Sequence, residues 1–162
     1  MLKKSEIYRR YNAGERDSSG VDLSRVNLNL ANFSVLGRVK NKNNLSGINL
    51  SGANLTRANI ECVDLSGANL SDANLEFATL NEVDLTNANL MDANLYCTNF
   101  DRVNLTNANL RGAYLVCVLM YGVDMTGADM TGGEFTCGGD GVTFCDTIMP
   151  DSTVNTEYFG TR

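Results

Sequence analysis

The sequence predicts an all-β solenoid, a four-sided parallel coil of twenty residues stacked about six times over, and three observations predict it. An apolar residue falls on every fifth position from Leu50 through Leu55, Ile60 and Leu65 to Phe135. Two residues before each stands a small or β-branched residue, with Asn or Asp commonly between, as in Ala53-Asn54-Leu55. Valine takes the small position at Val63, Val83, Val103 and Val123, which are twenty residues apart.

A period of five fits neither the 3.6 residues of a helix turn nor plain strand alternation. Within one unit the small and the large residue are two apart, so extended backbone puts both on one face. Asn, Asp, Ser and Gly fill the remaining positions and favour tight turns. A chain that turns once per five residues closes a polygon. The valine spacing sets four sides per coil, with the fourth neighbour stacked about 4.8 Å above, the distance between hydrogen-bonded strands. Each central Leu, Met or Phe then contributes roughly 1.5–3 kcal/mol if fully buried.

The pattern, seen in Ala53-Asn54-Leu55-Thr56-Arg57 and Ala88-Asn89-Leu90-Met91-Asp92, resembles the pentapeptide-repeat family over roughly residues 21–145. The resemblance implies a right-handed quadrilateral β-helix. Tyr114 and Leu119 depart from it in place of Asn or Asp, and Gly133 in place of Ala, so local turn geometry is open there.

Residues 1–20 read as a short capping helix and lead-in: Ser5 is an N-cap, Ile7 and Tyr11 share a face, and Gly14 is a stop. A cover for the first coil's open edge and a partner-binding helix are the two readings. The run Tyr11–Asp17 resembles the lead-in of cyanobacterial members of the family. Val21-Asp22-Leu23 matches the later Val-Asp-Leu triplets, and the corresponding Leu45 lies 22 residues on. That predicts two extra residues within 34–44, a basic stretch holding Arg38, Lys40 and Lys42. It is either a surface bulge or a docking loop; gyrase-inhibiting members of the family are similar in owing activity to such loops. Val142-Thr143-Phe144 begins a coil one residue early, and residues 146–162 read as a C-terminal cap, with Ser152 where cyanobacterial members have glycine.

Outward positions read at intervals of twenty form columns. Cys97, Cys117 and Cys137 make one, above Phe77. A bridge from Cys145 to Cys137 or Cys117 is the candidate disulfide, a clamp on the end cap. Glu82 stands below Arg102, and Asp72 and Asp92 stack as like charges. Phe77, Tyr96 and Tyr121 are either one aromatic patch or scattered surface rings.

The 162 residues carry a net charge of −6, no His and five Cys with no C-x-x-C pair, so no metal site or cofactor is expected. Residues 1–45 hold nine basic and four acidic side chains, leaving four and fifteen for the remainder. Direct nucleic-acid binding is not expected from such a body, nor a membrane span, with no apolar stretch of about 18 residues. The N-terminus lacks a signal-like apolar run, and a cytoplasmic protein is expected. Without a nucleophile–base set, a phosphate loop or a cleft, the chain reads as a non-catalytic, rigid protein–protein interaction or regulatory module. The alternative, implied by resemblance to quinolone-resistance members, is a DNA-mimicking inhibitor of DNA gyrase or topoisomerase. Its acidic rod would imitate the duplex charge of one per ~1.7 Å.

Overall fold

The computed structural model of the chain describes residues 22–29, 31, 33 and 43–155. Each unit folds by the same local logic. Asn44 Oδ1 accepts the N–H of Ser46 at 3.0 Å, and Asp64, Asn74, Asp84 and Asn104 repeat the bond two residues on. The carbonyl of the central residue then accepts the N–H three residues later, as in Ala68 to Leu65 at 3.0 Å. The residue between, two after the central one, sits at positive φ: Gly67 at 63° and Asn87 at 57° are examples. An Asx bond, a four-residue turn and one left-handed residue bend the chain through a corner every five residues.

Between corners the backbone bonds to the coils above and below. Leu65 N–H donates to the Asp84 carbonyl at 2.8 Å, and Asn69 N–H donates to the Ile48 carbonyl at 2.9 Å. Four rows of parallel pairing result. One contains β1 (Asn43–Asn44) and β3 (Val63–Asp64) and continues through Asp84, Asn104 and Asp124. Two others run Asn49–Asn69–Asn89–Asn109–Asp129 and Asn54–Asn74–Asn94–Tyr114. The fourth is a five-stranded parallel sheet of β2 (Asn59–Glu61), β4 (Thr79–Asn81), β5 (Asn99–Asp101), β6 (Tyr114–Tyr121) and β7 (Glu134–Asp140). The molecule is thus an all-β parallel solenoid, and no helix occurs among the described residues. None is therefore long and apolar enough to cross a membrane there.

The interior is a stack of the central Leu, Ile, Met and Phe with the small residues two before them. Leu85, Leu105, Met120 and Met125 are fully inaccessible, and Val63, Val83, Val103 and Val123 all point inward. Two inward positions carry threonine where Ala or Val is usual. Thr98 and Thr147 donate their hydroxyls to the carbonyls of Leu75 at 2.9 Å and Met125 at 2.6 Å, so the buried oxygens are satisfied. Outside, an asparagine ladder rises with Asn69, Asn89 and Asn109 each donating Nδ2 to the Oδ1 of the asparagine twenty residues earlier, at 3.4, 3.2 and 3.0 Å.

Three features correct the sequence reading. Asp22 pairs with Asn49 and Asn27 with Asn54, an offset of 27. Leu23 therefore lies on the row of Leu50 and Leu70, not on that of Leu45. Twelve positions separate Phe33 from Leu45 where one side takes five, so the first coil holds seven extra residues and not two. The one-residue slip falls earlier than Val142. Leu115 pairs with Phe135 but Val118 with Cys137, and the shift persists in Asp124 with Thr143 and Asp129 with Ile148. Parallel pairing reaches Ile148, beyond the boundary expected at residue 145. The chain then reverses. β8 (Thr147–Ile148) pairs antiparallel with β9 (Val154–Asn155) around a turn in which Ser152 takes a φ of 68°. Gly133 answers a close approach: a Cβ there would stand 2.6 Å from the Ala113 carbonyl oxygen. The expected capping helix over residues 1–20 and the basic residues Arg38, Lys40 and Lys42 lie outside the described residues.

Two outcomes follow. Leu85→Ala, at a site with no exposure, is expected to destabilise the fold by about 2–5 kcal/mol in urea denaturation. Asp129 is the second case. Burial alone would raise its pKa, but bonds from the Thr131 hydroxyl and N–H and from Arg111, at 3.1 Å, outweigh it and hold the carboxyl below 3.8. A depressed folded pKa adds stability that is present above the ordinary value and lost as pH falls through the folded one. Asp129→Asn keeps the turn acceptor but loses the charge. It should melt below wild type at neutral pH, with the gap closing as the pH is lowered past 3.8.

Candidate functional site

Corner residues stack into four columns, each at φ between 51° and 74°. Such a backbone suits glycine first, then Asn and Asp; other side chains adopt it at a cost of roughly 1–2 kcal/mol. Two columns largely follow that preference: Gly47, Gly67, Asn87, Asn107 and Gly127 form one, and Gly52, Asp72, Asp92, Gly112 and Gly132, above Arg25, the other. A third holds Cys62, Glu82, Arg102 and Gly122. There Glu82 meets Arg102 at 3.2 Å, as the spacing predicts, with Cys62 Sγ donating to Glu82 Oε2 at 3.5 Å. Both ends of the ion pair are about half exposed, so it is worth ~0–1 kcal/mol. The fourth column is Arg57, Phe77, Cys97 and Cys117. Among the described residues it alone has none that the turn itself favours.

Around this fourth corner the structure gathers a continuous surface. The Arg57 guanidinium lies 5.5 Å from the Phe77 ring centroid. Phe77 meets Tyr96 edge-on at 5.7 Å and 75°, and Tyr96 stacks on Tyr114 at 5.9 Å and 22°. Phe77 is 43% exposed and Tyr114 38%. The phenol pKa of Tyr96 is raised, first by its hydrogen bond to the Cys97 side chain, then by the nearby Cys97 and Cys117 thiols. The cation, three rings and two thiols occupy one corner and its adjoining side.

Of the predicted aromatic group, Phe77 and Tyr96 are brought together. Tyr121 is on another row, paired with Asp101 and Asp140. Tyr114 and Arg57 were missed as members. Tyr114 stands eighteen positions from Tyr96, so reading at twenty passes over it. Yet both flank a central leucine, Leu95 or Leu115, and point outward, so the rings meet diagonally between rungs. Arg57 was legible, since it lies twenty before Phe77.

Asp72 and Asp92 stack as expected on an exposed corner; the Asp72 N–H donates to the carbonyl of Met91, next to Asp92, at 2.9 Å. The cysteine column stops at two. Because of the slip, Cys117 N–H donates to Thr136 Oγ1 at 2.9 Å, and Cys137 pairs with Val118. Cys145 follows Phe144 onto the row of Thr126, where Gly127 N–H donates to its carbonyl. All five cysteines, each among the described residues, are unbridged in this structure. Cys137 thus stands one position off Cys117, and Cys145 lies on another side of the coil, over Thr126. The charge of Asp146, then desolvation, raises the Cys145 thiol. No group of three or more Cys, Asp or Glu suited to a metal ion occurs among the described residues.

The model of the family described as pentapeptide repeats matches residues 42–72, 68–107 and 104–136, in 8 copies. Among solved structures, the chain is similar to a pentapeptide-repeat protein (Rfr23) from the cyanobacterium Cyanothece 51142. Identity is 32%, with 85% of this chain and 96% of that one covered, at a TM-score of 0.61. It is also similar to alr5209, a pentapeptide-repeat protein from Nostoc PCC 7120, at 30% identity, covering 74% and 80%, with a TM-score of 0.37. HetL, a pentapeptide-repeat protein involved in heterocyst differentiation regulation from Nostoc sp. strain PCC 7120, matches at 24% identity, covering 91% and 72%, with a TM-score of 0.36. No curated protein matches.

Tyr96 contacts both other rings, and such pairs contribute about 0.5–1.5 kcal/mol each beyond area burial. Tyr96→Ala should therefore lower stability in urea by roughly 1–2 kcal/mol. Tyr121→Ala, outside the group, should stay within about 0.5 kcal/mol of wild type.

Proposed function

Because the chain belongs to the pentapeptide-repeat family, we propose that it is a rigid, non-catalytic docking module whose partner is another protein. In this reading the body is a right-handed quadrilateral helix of about six coils, some 29 Å tall at 4.8 Å per coil. The observation that carries the reading is the exposed Arg57–Phe77–Tyr96–Tyr114 surface. Aromatic side chains and arginine are what protein interfaces concentrate at their centres. A stacked solenoid holds them on a backbone bonded to both neighbouring coils, so little ordering cost remains to be met on binding. The Asp72–Asp92 pair and the basic residues Arg38, Lys40 and Lys42 are secondary candidates for contact.

The test replaces Phe77 by photoreactive benzoylphenylalanine, with the same replacement at Asn107 on another corner, in the cell that makes the protein. One discrete protein adduct at position 77, absent at 107 and lost in Tyr96→Ala, supports the reading. Equal adducts at both positions, or none at 77, removes it. Purified protein added to a gyrase supercoiling reaction tests the alternative. Inhibition that weakens in Asp72→Lys/Asp92→Lys would move duplex mimicry ahead of docking through the aromatic corner.

A further inference from the structure

The thiols of Cys97 and Cys117 occupy equivalent places on consecutive rungs. Cys97 N–H donates to the Val116 carbonyl at 3.0 Å, Asn99 pairs with Leu119, and the two cysteines have φ of 51° and 59°. Their side chains thus leave near-identical backbones about 4.8 Å apart. That spacing disfavours a disulfide, which requires Cβ atoms about 3.5–4.5 Å apart and a sulfur–sulfur bond near 2.05 Å. It fits another chemistry. Two metal–thiolate bonds laid in line, each near the ~2.3 Å of a zinc–sulfur bond, span about 4.6 Å between sulfurs.

We propose that Cys97 and Cys117 form a two-coordinate site for a soft monovalent d10 ion, copper(I) being the biological example. Thiolate ligands select copper(I) by softness, whereas calcium and magnesium seek oxygen donors. Zinc would need four ligands, and no third Cys, Asp or Glu joins this pair into a metal-binding group among the described residues. The corner itself does not call for cysteine. From Gly47 upward two other columns meet the same φ with Gly, Asn and Asp alone, and a side chain held in a disfavoured backbone where a better one would serve points toward use. Nor is the pairing general to the chain's cysteines. Cys62 lies under Glu82, Cys137 over Val118, and Cys145 on the row of Thr126. Loading breaks two S–H bonds and forms two metal–sulfur bonds. Both protons pass to solvent and the metal keeps its oxidation state, so no oxidant or reductant is required.

The reduced, full-length chain is titrated anaerobically against copper(I) held by a chromophoric chelator. The expected result is one ion withdrawn per chain with two protons released. Cys97→Ser and Cys117→Ser should each weaken retention about a hundredfold, the loss expected when one of two tethered donors is removed. Cys62→Ser, Cys137→Ser and Cys145→Ser should leave it unchanged. In the unsubstituted chain, bound copper(I) should shield Cys97 and Cys117 from iodoacetamide while the other three are alkylated, as read by peptide mass. Equal loss from all five substitutions, or shielding spread evenly over the five thiols, would overturn the proposal.

Discussion

Every fifth residue from Gly47 to Gly132 holds a left-handed backbone, and nearly everything else depends on that demand being met. The corner turns the chain so that four short sides close a coil. It places the small and the large residue of each unit inward and aims the N–H and C=O groups at neighbouring coils. Asn or Asp before the central residue prepares the corner by accepting the N–H two residues on, before any contact with another coil exists. The fold is thus locally encoded at its bends and non-locally bonded along its sides. Where Tyr114 removes that acceptor, β6 runs unbroken through Tyr121, although Cys117 within it keeps its positive φ. Stacking on the coil below imposes the bend even where the local signal is missing.

The sequence made the period of five, the coil of twenty and the identity of the core legible, because each depends on a pattern repeated many times. What it obscured were single events. The valine of Val21-Asp22-Leu23 pointed to the row of Leu45, but one triplet cannot be told from another when inserted residues separate it from the rest of the pattern. The slip showed in the sequence only at Val142, where the repeat resumes. The backbone absorbs it earlier, within Phe135–Cys137, on the edge strand β7, where only one neighbouring strand must be matched.

The candidate site was half legible for a related reason. Reading at twenty finds residues directly above one another, which is how Phe77, Cys97 and Cys117 came together. It misses diagonal neighbours, and a tyrosine ring is long enough to make a diagonal contact: Tyr96 with Tyr114. It also joins residues that lie on different rows, as with Tyr121. The corner column and the adjoining side must be read as one surface before the cluster appears.

The two departures from register carry different consequences for how such a chain can lengthen. Seven residues added between Phe33 and Leu45 leave later units on their rows, since Leu45 resumes the phase that Phe33 leaves. Five residues added as one more repeat would advance every later unit by one side. The asparagine ladder, the Glu82–Arg102 pair and the aromatic corner would each be cut at that level and rotated a quarter turn. The neutral quantum of growth is therefore the whole coil. A lineage of such proteins should record its history in duplications of twenty residues, with irregular lengths confined to excursions at the corners.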